Sequence, residues 1–204
     1  MIRVERDEGL WRVVIDRADK ANALTGEMLA ELLSVMEAAA VAPGLRVLVL
    51  TGAGAVFSAG ADLEAARAGL ATSDLWERLS AAVAALPCLT VAALNGTVAG
   101  GASGMVLACD LRVAVEGARL FYPVMRLGFL PQPSDVRRLV ALAGPARAKM
   151  ILMAGARIGA EEARAWGLVD RVVAAGALEA AVAELAGDAL GAGAGHVAAI
   201  KAMI

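Results

Sequence analysis

The sequence has few aromatic residues, a single histidine and two cysteines. Phe, Trp and Tyr together make up 3% of its 204 residues, and His196 is the one histidine. A single histidine argues against a structural zinc site and against a His-based triad, so we expect no metal. Cys88 and Cys109 each lie in an apolar stretch, which predicts two buried, reduced thiols rather than a disulfide.

An excess of one charge is also absent. The 19 Lys and Arg residues nearly balance the 21 Asp and Glu residues, which gives a formal net charge of −2. This balance argues against a general polyanion-binding surface, so we expect no nucleic-acid partner. A local cationic spot for one phosphate group stays open. Charged residues begin at Arg3, which a secretory signal would not tolerate, and we expect a cytoplasmic protein.

One long stretch lacks charge altogether. No residue from Leu79 to Cys109 is charged, and the run is long enough to raise the question of a membrane helix. Pro87 and several glycines between Gly96 and Gly104 interrupt it. The stretch therefore predicts a helix end, a buried strand, a glycine turn and a buried helix, and no membrane partner.

The remaining pattern alternates strands and helices and then becomes mostly helical, which predicts an α/β fold. Thr25 is a candidate N-cap for the first long helix. We interpret Gly187–Gly195 as a loose connection between two alanine-rich segments. The predicted strands are Ile2–Glu5, Trp11–Ile15, Arg46–Thr51, Leu89–Leu94, Leu111–Val115, Arg119–Tyr122 and Leu168–Val173. The other predicted helices are Leu75–Leu86, a helix from Gly100–Gly104 to Ala108, Ser134–Ala143, Pro145–Ala154 and Ala160–Trp166.

Two glycine-rich segments stand out among the connections. Phe57–Leu63 (FSAGADL) and Asn95–Gly104 (NGTVAGGASG) each follow an apolar, strand-like run. Because glycine lacks a side chain, such turns let a ligand approach backbone N–H groups closely, and two of them can polarise one carbonyl oxygen. The alternative is that both turns only allow tight strand-to-helix connections.

These two segments belong to a set of motifs that resembles the crotonase superfamily, the enoyl-CoA hydratase/isomerase family. The others are Arg17–Leu24 (RADKANAL), Ala108–Arg112 (ACDLR) and Ala163–Val169 (ARAWGLV), in the family's order and spacing. The resemblance implies a stacked ββα spiral over residues 1–175 and a shortened C-terminal helical segment over residues 176–204. It also implies a homotrimer or homohexamer.

Members of this family bind acyl-CoA thioesters and stabilise a thioester enolate. By the resemblance, the backbone N–H groups of Ala61 and Gly101 form the oxyanion hole, with Gly101 at the positive end of a helix. Coenzyme A is part of the substrate, so we expect no separate cofactor. Lys20 is expected near its phosphates, and the residues expected to line the rest of it are Ala23, Ala59, Gly60, Asp62 and Leu63.

The sequence departs from the family at the two glutamates that hydratases use. Their positions hold Gly104 and Val124 here, and neither residue can carry a proton. Since water addition needs both an acid and a base, ordinary hydration is not expected. Two substitutes are available: Asp135 as a displaced general base and Tyr122 as an acid. The alternative interpretations are a first-turn helix residue for Asp135 and a half-buried strand tyrosine for Tyr122.

Three hypotheses for function follow. The first is an enzyme, a lyase or isomerase, that stabilises an enolate with non-standard proton transfer; decarboxylation fits because departing carbon dioxide generates the enolate. The second is a non-catalytic acyl-CoA binder. The third is a hydrolase using Ser103, although His196 falls in the wrong region to activate it. Arg126 is a candidate for binding a carboxylate-bearing acyl group or for a salt bridge.

Overall fold

Two β-sheets organise the chain in the computed structural model, which describes all 204 residues. The larger sheet has six strands, in the order β1 (Ile2–Asp7), β2 (Leu10–Ile15), β3 (Val47–Gly52), β5 (Leu89–Leu94), β7 (Leu111–Val115) and β10 (Arg171–Val173). The smaller sheet has four, in the order β4 (Val56–Ser58), β6 (Thr97–Ala99), β8 (Arg119–Phe121) and β9 (Ile158–Gly159). Only the β1–β2 and β8–β9 pairs are antiparallel.

Ten α-helices connect and cover these sheets. Thr25 caps the first of them as predicted, because its side chain accepts a hydrogen bond from the Met28 N–H. The helices are α1 (Gly26–Ala40), α2 (Leu63–Arg67), α3 (Leu75–Ala84), α4 (Ala102–Ala108), α5 (Val124–Leu127), α6 (Pro133–Ala143), α7 (Pro145–Leu152), α8 (Ala160–Ala165), α9 (Leu178–Gly191) and α10 (Ala194–Lys201).

The chain order shows a repeated ββα unit. A strand of the larger sheet, a short strand of the smaller sheet and a helix follow one another as β3–β4–α2, β5–β6–α4 and β7–β8–α5. All six residues of β3 are buried because helices cover both faces of the parallel sheet, which explains its continuous apolar run. The predicted stacked ββα architecture is confirmed.

The short elements and one connection differ from the sequence prediction. Strand β4 overlaps the first segment interpreted as a glycine turn and β6 lies within the second, and three residues are too few to show an alternating pattern. The predicted loose connection Gly187–Gly195 is wrong, since α9 continues to Gly191 and only Ala192 and Gly193 separate it from α10. Leu178, Val182 and Ala186 are buried in the core, so packing holds α9 helical despite its glycines.

No helix of the structure combines the length and the apolar character needed to cross a bilayer. Pro87 and the glycines divide the uncharged stretch as predicted, and its parts become β5, β6 and α4. These three elements place the second glycine turn at the point where the two sheets meet α4.

Candidate active site

The first glycine turn follows β4 and is held by buried hydrogen bonds. Asn22, which is fully buried, donates from Nδ2 to the carbonyl oxygens of Ala53 and Val56 at 2.9 and 2.7 Å. The Ser58 hydroxyl donates to the Asn22 carbonyl at 2.8 Å and accepts from the Gly60 N–H at 3.1 Å. This network orders the backbone that leads into the next residue, Ala61.

Replacing Asn22 with alanine should test that network. Because the change leaves the Ala53 carbonyl and the Arg17 N–H without their partner, and the Val56 carbonyl with only Asn95 Nδ2 at 3.3 Å, we expect the free energy of unfolding to fall by about 2–3 kcal/mol. Urea denaturation measures the change. Ala21→Gly is the matched control, since Ala21 also has a positive φ of 50° but no side-chain hydrogen bond, and glycine relieves its strain. A loss of stability under 0.5 kcal/mol in Asn22→Ala, on the order of a surface substitution, would contradict this role.

The second glycine turn lies directly against the first. Gly60 has a φ of 88°, and a methyl group at this position would lie 2.7 Å from the Ala99 carbonyl oxygen and 3.5 Å from the Gly100 Cα. Only glycine allows two backbones to approach this closely. This close approach brings together the two backbone segments that lead into Ala61 and Gly101.

The amides of Ala61 and Gly101 are both free of protein acceptors. Leu24 pairs with this turn through the Gly60 carbonyl and the Asp62 N–H, at 2.8 Å each, and leaves the Ala61 N–H unused. Gly101 is the N-cap residue of α4, and its N–H has no intrahelical partner. Both N–H groups are thus free to bind a ligand.

Asp135, on α6, lies beside α4, about one turn of that helix from the Gly101 amide. Gly101 and Gly104 are three residues apart and therefore share a face of α4. A methyl group at Gly104 would lie 2.6 Å from Asp135 Oδ1, so the carboxylate occupies the space that a side chain at Gly104 would fill. Asp135 lies in the first turn of α6, as the alternative interpretation predicted, and with only 2% of its surface exposed it is a buried acid.

Tyr122 is the hydrogen-bond partner of this carboxylate. Its hydroxyl donates to Asp135 Oδ2 at 3.0 Å, and Asp135 Oδ1 has no hydrogen-bond partner. Burial raises the pKa of Asp135 to about 6, although the Tyr122 hydrogen bond and the Arg138 charge lower it. Burial, and then the Asp135 charge, raise the pKa of Tyr122 well above its ordinary value. The pair combines an unpaired oxygen with a pKa suited to proton transfer near neutral pH.

The residues expected to contact coenzyme A lie along one edge of the first turn. Lys20, Ala59 and Leu63 are exposed, and Ala23 is half-buried. Asp62 has a structural task there, because its carboxylate accepts from Arg17 at 2.8 Å and from the first backbone N–H groups of α2. These hydrogen bonds, with that from Arg17 first, hold the pKa of Asp62 below its ordinary value.

Of the three other candidate residues, Ser103 and Arg126 each line a cavity that Tyr122 also lines, and His196 lies apart from this arrangement. Ser103 lines an apolar cavity of about 20 Å³, whereas His196 lines a separate groove with Asp188. No histidine therefore lines the Ser103 cavity. Arg126 is exposed beside a groove that it shares with Arg157. Val124, at the second glutamate position, is buried and apolar.

The stacked ββα fold and the paired free amides define a crotonase-like protein. The chain belongs to the enoyl-CoA hydratase/isomerase family, whose sequence model matches residues 5–204. It is 38% identical over 196 residues to a putative enoyl-CoA hydratase from Thermus thermophilus, covering 90% of this chain and 75% of that protein. Identity to 4-chlorobenzoyl coenzyme A dehalogenase-1 from an Arthrobacter species is 35% over 194 residues, covering 91% and 70%.

Solved structures agree with this assignment. The crystal structure of an enoyl-CoA hydratase from Bacillus anthracis superposes with a TM-score of 0.91 and is 33% identical in sequence. The match covers 98% of this chain and 80% of that chain. The family predicted from the five motifs is confirmed.

Proposed function

We propose that this protein binds an acyl-CoA thioester and stabilises the enolate formed from it. The thioester oxygen accepts hydrogen bonds from the Ala61 and Gly101 amides. The observation that carries the proposal is that both amides lack protein acceptors and follow two glycines whose backbones are so close that a methyl group on Gly60 would lie 3.5 Å from the Gly100 Cα. Preorganised donors of this kind stabilise negative charge that develops on a carbonyl oxygen.

The relatives support coenzyme A thioesters as the substrate class. The names of the Thermus and Arthrobacter relatives both specify such a thioester. In this chain the exposed edge formed by Lys20, Ala59 and Leu63 lies next to the oxyanion donor Ala61. We assign this edge, together with Ala23, Gly60 and Asp62, to the coenzyme A portion, with the Lys20 ammonium near a phosphate.

Asp135 is the proton-transfer group in this proposal. Its unpaired Oδ1 removes a proton from carbon, and the electron pair of the C–H bond moves into the enolate, whose oxygen the two amides hold. The same carboxyl group returns the proton to another carbon of the acyl chain. One carboxylate with Tyr122 as its hydrogen-bond partner suits this shift of a double bond, or protonation of an enolate formed by loss of carbon dioxide.

Hydration does not fit the same residues. Water addition needs a second group to activate water, and the two family positions hold Gly104 and the buried Val124. We therefore assign the protein to the isomerases or lyases of the family rather than to the hydratases. The protein as proposed is a cytoplasmic homotrimer or homohexamer, and light scattering would give the number of subunits.

The second candidate is a binder without chemistry. The observation in its favour is that Trp76 and Asp135 cover the glycine face of α4, with 4% and 2% of their surfaces exposed. Access of an acyl group to the carboxylate is therefore narrow. In this case the amides polarise the thioester and no proton moves.

One pair of measurements separates the candidates. Calorimetric titration with crotonyl-CoA should show binding with a Kd on the order of micromolar. Incubation with a 3-enoyl-CoA should raise the absorbance of the conjugated 2-enoyl product if Asp135 moves a proton, whereas crotonyl-CoA should not be hydrated. Binding with no absorbance change supports the binder, and no binding of either thioester refutes both candidates.

A further inference from the structure

We infer that Trp76 is a specificity-determining residue that restricts the acyl group to short chains. The inference rests on the proposed function, because it takes the Gly101 amide as a donor to the thioester oxygen. Trp76 is the second residue of α3 and is buried. It lies against the α4 N-terminus rather than facing away from it.

The indole ring contacts the oxyanion residue itself. A methyl group at Gly101 would lie 2.9 Å from two carbon atoms of the Trp76 ring. The ring therefore covers the side of Gly101 that lies in line with Gly104 and its neighbour Asp135. Gly101 and Gly104 are about 4.5 Å apart along the helix axis, so the ring and the carboxylate stand side by side over one face of α4.

The ring is fixed in this position by a hydrogen bond. Trp76 Nε1 donates to the Leu70 carbonyl oxygen at 2.8 Å. A buried indole N–H that loses its acceptor costs about 1–3 kcal/mol, which opposes rotation of the ring out of the site. The Trp76 ring is thus held rigidly beside Gly101.

A polar seam also prevents α3 from moving away from α6. Glu77 accepts from the Ser134 N–H at 3.3 Å and from the Ser134 hydroxyl at 2.9 Å. Arg138 donates to the hydroxyl oxygens of Ser80 and Ser134 at 3.1 and 2.9 Å. Since Trp76 precedes Glu77 and Asp135 follows Ser134, the seam fixes the spacing between ring and carboxylate.

The consequence concerns the carbons beyond the reacting one. The thioester oxygen then lies at Gly101 and the α-carbon faces Asp135. In this position the following carbons of the acyl chain lie against the indole. A short, flat crotonyl group has few carbons to place beside the ring, whereas an octanoyl chain needs the volume that the ring occupies. Substrate choice is therefore set by steric exclusion at Trp76.

The test is a calorimetric comparison of crotonyl-CoA with octanoyl-CoA on the full chain. We expect the wild type to bind crotonyl-CoA at least about tenfold more tightly, and Trp76→Ala to reverse that preference. Trp166→Ala is the matched control, because Trp166 is half-buried at the end of α8, where Arg147 of α7 lies over its ring, and its removal should leave the preference unchanged. If the alanine variant fails to fold, Trp76→Phe takes its place. Phenylalanine keeps more of the side-chain volume, so this variant should show an intermediate preference.

A second readout follows the indole directly. In the variant W11F/W166F, Trp76 is the single tryptophan, and crotonyl-CoA should change its emission while free coenzyme A should not. Equal binding of both thioesters by the wild type, or an equal loss of both in Trp76→Ala, would overturn the inference but not the proposed function. If the wild type binds neither thioester, both fail.

Discussion

Replacing Asp135 with asparagine should lower the turnover of a 3-enoyl-CoA by about 10²- to 10⁴-fold, the usual contribution of a positioned acid or base. Asparagine has nearly the same shape and still accepts the Tyr122 hydrogen bond, but it cannot take up a proton. Binding of crotonyl-CoA should change little, since the amides of Ala61 and Gly101 are untouched. Turnover is measured by the enoyl absorbance and binding by calorimetry.

The pH dependence gives this prediction a second signature. A base must be ionised, so the wild-type rate should rise with pH through about 6, the pKa to which burial raises Asp135. In the same window the folded state binds the proton more tightly than the unfolded chain, so stability should fall as pH rises from about 4 to about 6. The asparagine variant should lose both dependences. If Asp135→Asn turns over the 3-enoyl-CoA as fast as the wild type, Asp135 is not the base.

Tyr122→Phe tests the partner of this carboxylate. The hydrogen bond from Tyr122 lowers the pKa of Asp135, so its loss should move the midpoint of the rate profile to a pH above that of the wild type. A tyrosine that only fills space would leave the midpoint where it is. If the midpoint moves to lower pH instead, the tyrosine does not stabilise the charged carboxylate.

The sequence predicted the parts of the site that depend on local backbone. Gly60 and Gly100 have positive φ angles, and their motifs pointed to the next residues, Ala61 and Gly101, whose role as oxyanion donors stays a prediction. Asp135 was a candidate because few substitute groups lie near the expected acyl pocket. That Asp135 fills the space beside Gly104 could not be predicted, because it depends on how α6 packs across α4.

Two residues were missed for related reasons. Trp76 lies on the buried face of α3 with Leu79 and Val83, a pattern that indicates core packing and does not reveal contact with Gly101. Asn22 was part of the quoted motif RADKANAL, yet its bonds to Ala53 and Val56 join residues that are distant in sequence. A polar residue between apolar neighbours was the available signal for Asn22.

The oxyanion donors can be tested by removing one N–H group, and Ala61→Pro is the cleaner choice. The Ala61 amide donates to no protein acceptor, so proline there removes no hydrogen bond within the protein, and Ala61 lacks the positive φ that proline cannot adopt. Gly101→Pro would also lack the N–H, but its side chain would meet the Trp76 ring at 2.9 Å. A loss of turnover in Gly101→Pro would therefore have two causes, the missing N–H and the clash with the Trp76 ring.

We expect Ala61→Pro to lower turnover by about 10²- to 10³-fold, or about 3–4 kcal/mol of enolate stabilisation. Ala61→Gly keeps the N–H and serves as the control, with turnover near that of the wild type. Circular dichroism and urea denaturation should show that both variants fold, since neither change removes a hydrogen bond within the protein. The loss should fall mainly on kcat, because charge builds on the thioester oxygen only as the enolate forms. If the proline variant turns over as fast as the glycine variant, the thioester oxygen does not bind at residue 61, and the pairing with Gly101 is wrong.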